Sequence, residues 1–220
     1  MLDVTLVVVT KTVPEAGVLE ALDAGVRDLG ENRAQELVAK AISLRDSEQA
    51  QPVQPVPDET EKRTRMRPGI PPPNWHFIGR LQRNKVRMLA EHVDLWHSID
   101  RPELAAPLTR YAPGARVLVE VNLSDEPQKG GCQPGEAEAL VEHLTGAGLA
   151  VEGLMTVPAA AGDPRPTFAR LRELAHQLGL AHLSMGMTAD FEAAIAEGAT
   201  IVRIGSAVFG PRSGPGGLRR

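Results

Sequence analysis

The chain has 220 residues, 42% of them apolar and 24% charged, enough for one large α/β domain of ordinary globular composition. A formal net charge of −4 gives no basic face for nucleic acid, and the longest apolar run, headed by acidic Asp3, is too short for a membrane span and unlike a signal peptide. The single cysteine, Cys132, excludes an internal disulfide and fits a reducing cytoplasm, the expected location, while 3% aromatics require an aliphatic core.

The chain opens on an apolar, β-branched run, Val4 to Thr10, which reads as a strand buried on both faces. Lys11 closes it, at the end where a barrel or doubly wound sheet keeps its active site. A half-buried ammonium loses solvation, by up to ~3–5 pKa units when fully buried, and the free amine can attack an aldehyde to form a Schiff base. Read alone, Lys11 is also a strand-end lysine that snorkels into solvent. Pro14 to Ala24 follows as a helix, with an early proline and Gly25 closing it. A short second strand ends at Leu29 and leads into Gly30-Glu31-Asn32, and a helix runs from about Arg33 to Leu44.

Between Asp46 and Asn74 the chain turns rich in Pro, Gln and charge, a composition that packs no core and reads as an irregular surface loop. The basic cluster Lys62 to Arg67 lies inside it and reads as a solvated charge run. The third strand is Trp75 to Ile78, the fourth about Leu95 to Ile99, and the fifth Arg116 to Val121. The sixth is Val151 to Met155, the seventh lies near His182 to Ser184, and the eighth is Thr200 to Ile204. Helical spacing fills the gaps, notably Glu136–Leu144, Thr167–Leu178 and Asp190–Glu197. Strands alternating with helices in this number predict a single (β/α)8 TIM-type barrel over residues 1–212, with a disordered tail at 213–220. A doubly wound open sheet is the alternative, although no Gly-x-Gly-x-x-Gly turn follows the first strand.

The unusual polar residues fall where barrel chemistry sits, at the C-terminal ends of the strands. Lys11 ends strand one, Glu31 and Asn32 follow strand two, and His76 lies in strand three. Ser98 and Asp100 end strand four, Asn122 ends strand five, and Arg203 with Gly205-Ser206 closes strand eight. Singly, each has a plain reading: His76 as a hydrogen-bonded core histidine, Asn122 as a turn former. Ser184-Met185-Gly186-Met187-Thr188 and Gly205-Ser206 together suggest a phosphate cup, since glycines let backbone N–H groups approach an anion and hydroxyls add donors. A guanidinium inside a barrel needs an anion or a strong acceptor. With pyridoxal 5′-phosphate in the barrel, the phosphate would fill the cup, the aldehyde would meet Lys11, and the ring nitrogen would face Arg203. An arginine there leaves the ring nitrogen unprotonated and weakens the electron sink.

Val-Thr-Lys at 9–11, Gly-Glu-Asn at 30–32, Trp-His-Phe-Ile-Gly at 75–79 and Leu-Gln-Arg-Asn-Lys at 81–85 resemble motifs of the pyridoxal phosphate homeostasis proteins. So do Ser-Met-Gly-Met-Thr at 184–188 and Val-Arg-Ile-Gly-Ser at 202–206, in the same order, from about Val4 to Arg212. The resemblance implies a barrel similar to the N-terminal domain of alanine racemase and a vitamin B6 carrier or regulator without catalytic turnover. It implies Lys11 as the Schiff-base lysine and Arg203 as the ring-nitrogen partner. Ser184, Gly205 and Ser206 would contact the phosphate, Met185 and Gly186 would also bind the cofactor, Asn32 and His76 would line the same pocket, and Lys129 would be a secondary contact. The expected partners are pyridoxal phosphate itself and apoenzymes that require it, with neither nucleic acid nor membrane; a monomer is expected.

Two features depart from the family: no N-terminal helix precedes the first strand, and Val13 stands where a second lysine is common. The alternative function is a pyridoxal phosphate-dependent amino-acid racemase with the same pocket. Such an enzyme needs a second base on the opposite ring face, commonly a tyrosine from a separate C-terminal β domain. The chain ends at Arg220 without that domain, and its one tyrosine, Tyr111, lies in a predicted helix. A metal-dependent hydrolase would need a cluster of His and carboxylate ligands that the sequence lacks, so no metal is expected.

Overall fold

A computed structural model describes residues 3–49, 71–124, 126 and 128–210. Eight parallel strands close into a barrel in sequence order, β1 Thr5–Val9, β2 Asp28–Glu31, β3 Asn74–Phe77, β4 Leu95–Ile99, β5 Arg116–Glu120, β6 Ala150–Met155, β7 His182–Ser184 and β8 Ile201–Ile204. A helix follows each strand: α1 Glu15–Asp23, α2 Ala34–Gln49, α3 Val86–Leu89, α4 Ala105–Tyr111, α5 Ala137–Gly146, α6 Arg165–Gln177, α7 Phe191–Ala196 and α8 Ser206–Phe209. This is the (β/α)8 barrel, not the doubly wound alternative, because β1 pairs in parallel with β8 as well as with β2.

Strand alternation sorts the apolar residues into two cores. Val7, Leu95, Leu118, Met155 and Ile201 come from five strands and no helix, and they pack together inside the barrel. Their sequence neighbours Val8, Trp96, Val117, Val119, Leu154 and Val202 belong to the larger core between sheet and helices. Burial of both strand faces explains the continuous β-branched runs in the sequence.

Some boundaries differ from those predicted. Gly30 and Glu31 belong to β2 because they pair with His76 and Phe77 of β3. The helix α2 continues through Asp46 to Gln49, and Asn74 opens β3, so the irregular segment expected at 46–74 is shorter at both ends. Residues 50–70, with the basic cluster at 62–67, and the tail at 213–220 lie outside the described residues. Among the described residues no helix is long and apolar enough to cross a membrane.

Candidate functional site

Lys11 follows β1 in a turn that is clamped on both sides. The Thr10 hydroxyl donates to Glu31 Oε1 at 2.7 Å, and Lys40 Nζ donates to the Thr10 carbonyl at 2.6 Å. On the other side, Thr12 takes the left-handed conformation with φ 63°, costly for a β-branched residue, and its N–H donates to Glu36 Oε1 at 2.5 Å. Lys40 joins the carboxylates, 2.6 Å from Glu31 and 2.9 Å from Glu36. Glu31 is fully buried and burial raises its carboxyl, while the bonds from Lys40 and Thr10 pull it back. The sequence reading placed Glu31 on a loop and missed Glu36 and Lys40; the i,i+4 spacing of the latter pair on α2 was the available signal.

Lys11 lines a cavity of ≈ 620 Å3 together with Val13, Gly17, Gly205, Ser206 and Phe209. The cavity thus spans the ends of β1 and β8, adjacent strands of the barrel. A Cβ at Gly205 would stand 3.3 Å from the Val9 carbonyl oxygen, so the missing side chain leaves the backbone open there. Ser206 is exposed at the first position of α8.

Arg203 lies buried inside the barrel below this mouth, two residues before Gly205. It donates to Ser184 Oγ at 2.6 Å and to the Thr156 carbonyl at 3.0 Å, which occupies two of its five N–H groups. Burial draws its guanidinium down to about 10, against the opposing charges of Glu120 and Asp190, so it stays charged at neutral pH. Glu120 of β5 is buried, and burial with the nearby Asp100 lifts its carboxyl to about 7 despite Arg203.

The other residues expected at the site fall in different places. Ser184 is fully buried, with its hydroxyl turned to Arg203 and His97, not to the cavity of Lys11. Met185 packs in the core between sheet and helices, because β7 alternation points it away from the barrel axis. Gly186 has φ 91° and a Cβ there would meet the Ala194 Cβ at 2.6 Å, so its role is close packing of the β7 loop on α7. His76 does not line the pocket of Lys11. Its Nε2 lies 3.0 Å from Asp28 at the start of β2, and its Nδ1 lies 2.8 Å from His97 Nε2.

Asn32 is exposed at the end of β2, with its backbone against Gly79. Lys129 ties two loops together, with Nζ 2.8 Å from the Pro158 carbonyl and 2.8 Å from Glu126. Asn122 caps its own turn by accepting from Ser124. Tyr111 ends α4, with Arg110 5.2 Å over its ring. His97 was missed by the sequence reading, although alternation from Leu95 puts it on the barrel-facing side of β4.

Comparison with known proteins gives concordant matches. A family model described as the alanine racemase N-terminal domain matches residues 3–213. The chain is 42% identical over 219 residues to the pyridoxal phosphate homeostasis protein of Pseudomonas aeruginosa, covering 95% of this chain and 85% of that one. It is 41% identical over 217 residues to the protein of the same name from Aquifex aeolicus, covering 92% and 85%. The structure of PipY from Synechococcus elongatus with PLP bound aligns with a TM-score of 0.76 at 32% identity, over 94% of this chain and 92% of that one.

Proposed function

This chain belongs to the pyridoxal phosphate homeostasis protein family, and from that premise we propose that it binds pyridoxal 5′-phosphate and serves vitamin B6 homeostasis as a carrier without catalytic turnover. The observation that carries the reading is one cavity shared by Lys11, Gly205 and Ser206.

The donor set fits the ligand. In the cavity an amine suits its aldehyde and a backbone bare at Gly205 with the Ser206 hydroxyl suits its phosphate, while the guanidinium of Arg203, buried in the barrel and not part of the cavity lining, suits its ring nitrogen. The cofactor supplies an aldehyde that an amine takes up as a Schiff base. Lys11 would hold it, on a turn fixed by Thr10 and Thr12. Arg203 can only donate, so a ring nitrogen facing it remains an acceptor, and an anchored ligand is retained in preference to carbanion chemistry.

A barrel closed by its own eight strands needs no second copy to complete its sheet, in keeping with a monomer. A carrier role makes pyridoxal phosphate-requiring apoenzymes the natural recipients. Cys132 is buried and its thiol is pushed up to about 12, which suits a reduced, unreactive thiol in the cytoplasm.

The test is addition of pyridoxal phosphate to ligand-free protein, followed by gel filtration. The wild type should retain one equivalent and its yellow colour, and Lys11→Ala should lose the colour. A colourless wild type would refute the reading.

A further inference from the structure

A line of polar side chains crosses the barrel interior from Arg203 to the opposite mouth. Arg203 of β8 donates to Ser184 Oγ of β7 at 2.6 Å, and that oxygen lies 2.9 Å from His97 Nδ1 of β4. His97 Nε2 lies 2.8 Å from His76 Nδ1 of β3, and His76 Nε2 lies 3.0 Å from Asp28 Oδ1 of β2. Ser184 and His97 are fully buried and His76 nearly so. Asp28 opens onto a separate cavity of ≈ 310 Å3 lined by the first residues of seven strands, which places it at the N-terminal mouth.

With both rings neutral, the Asp28 carboxylate fixes the direction of every link, because it only accepts. Ser184 Oγ then accepts from Arg203 and gives its own proton to His97 Nδ1. His97 is then neutral with its proton on Nε2, in keeping with a pKa that burial holds well below the usual imidazole range. That proton goes to His76 Nδ1, and the remaining His76 proton, on Nε2, goes to the Asp28 carboxylate. Asp28 is in turn held below the usual carboxylate range, chiefly by its bond with His76.

One added proton can be placed in several ways that keep all the bonds, and the one that leaves buried His97 neutral and Asp28 ionised puts the charge on His76. His76 holds protons on both nitrogens, its Nδ1–H now donates to His97 Nε2, and the His97 proton sits on Nδ1. Ser184 then accepts from both His97 and Arg203, and its own hydroxyl proton must leave the line.

We propose that Asp28, His76, His97 and Ser184 are positioning residues for Arg203, a two-state relay through which protonation at the N-terminal mouth sets the hydrogen bonding of Arg203. Its consequence for the ligand rests on the reading that Arg203 meets the ring nitrogen of pyridoxal phosphate. Other charges frame the relay. At the N-terminal mouth Asp94 and Arg116 line the cavity with His182, and Arg116 is paired with Glu152 at 2.6 Å. At the far end Glu120 and Asp190 act on Arg203.

The test begins on ligand-free protein labelled with 15N-histidine, followed by long-range 1H–15N correlation from about pH 8 to about pH 5, with His76→Gln identifying the two rings. Both His76 and His97 should be neutral at the upper limit, each with its proton on Nε2. As His76 gains its second proton, His97 should move its proton to Nδ1 with the same midpoint. Asp28→Asn should move that midpoint down, since it removes the opposite charge.

In protein loaded with pyridoxal phosphate, the visible absorption should change with the same midpoint and the same Asp28 dependence, which separates the relay from direct action of Glu120. A His97 carrying its proton on Nδ1 at the upper limit, or one unmoved while His76 titrates, overturns the relay. Absorption that stays constant through the midpoint overturns its connection to Arg203. If the wild type holds no pyridoxal phosphate, the functional reading fails and the nitrogen spectra still decide the relay.

Discussion

Glu31 and Lys40 meet at 2.6 Å, and the same ammonium lies 2.6 Å from the carbonyl of Thr10, the residue before Lys11. The pair therefore joins β2 and α2 to the turn that presents the amine. Lys40→Met leaves the Glu31 carboxylate buried without its cation, which typically costs about 3–5 kcal/mol. Because burial already raises Glu31, the variant's deficit should grow as pH rises and shrink where the carboxyl is protonated. Urea unfolding at several pH values checks this, and a pH-independent loss below about 1 kcal/mol would contradict it.

The Glu120 carboxyl gives stability a second pH dependence. Its folded value of about 7 stands above the ordinary 4.5, so the folded state binds this proton more tightly than the unfolded chain. Its contribution is fully favourable below the ordinary value, declines as pH rises through that interval, and is lost above it. Glu120→Gln should equal wild type near about pH 4 and exceed it near about pH 8 by roughly 1–3 kcal/mol. Parallel stability curves for the two proteins would show that Glu120 ionises without penalty.

Ser206 should discriminate phosphorylated from unphosphorylated ligand. Its exposed hydroxyl lines the cavity of Lys11 beside Gly205. Losing a hydrogen bond to a charged group costs roughly 1.5–3 kcal/mol, or about 10–100-fold in affinity. Ser206→Ala should therefore weaken pyridoxal phosphate far more than pyridoxal in equilibrium titrations. Equal losses for both ligands would put the phosphate elsewhere.

Inversion at the α-carbon of an amino acid needs an acid on the ring face opposite Lys11. Tyr111, the one tyrosine of the sequence, lies at the end of α4 with Arg110 over its ring, not in the cavity of Lys11. Loaded protein incubated with L-alanine in deuterated water should give little or no D-alanine; slow deuterium exchange with retention fits Lys11 acting alone. D-alanine formed at ~1 s⁻¹ or faster, and lost in Lys11→Ala, would establish a racemase.

The barrel was legible because most strand residues are buried on both faces, as at Val7-Val8-Val9, although Thr5 and Leu6 at the start of β1 are exposed, and Lys11, Gly205 and Ser206 because they stand at strand ends next to one another in the closed sheet. Direction was harder to read than position. His76 reads as an unusual polar residue in a strand and Ser184 as one that follows a strand, but their partners Asp28 and His97 lie 48 and 87 residues away in sequence, a distance no local pattern spans. Met185 follows Ser184 on the opposite face of the sheet, so a contiguous motif divided between core and interior. Glu31 looked like a loop residue because Gly30 resembles a strand end, whereas pairing with β3 keeps both in the sheet.

The most direct test of the central claim is mass spectrometry after borohydride reduction of protein loaded with pyridoxal phosphate. Reduction fixes the ligand to whichever amine holds it, and the account expects the modified peptide to carry Lys11. A modification confined to Lys85 or Lys129, with Lys11 unmodified, would contradict it.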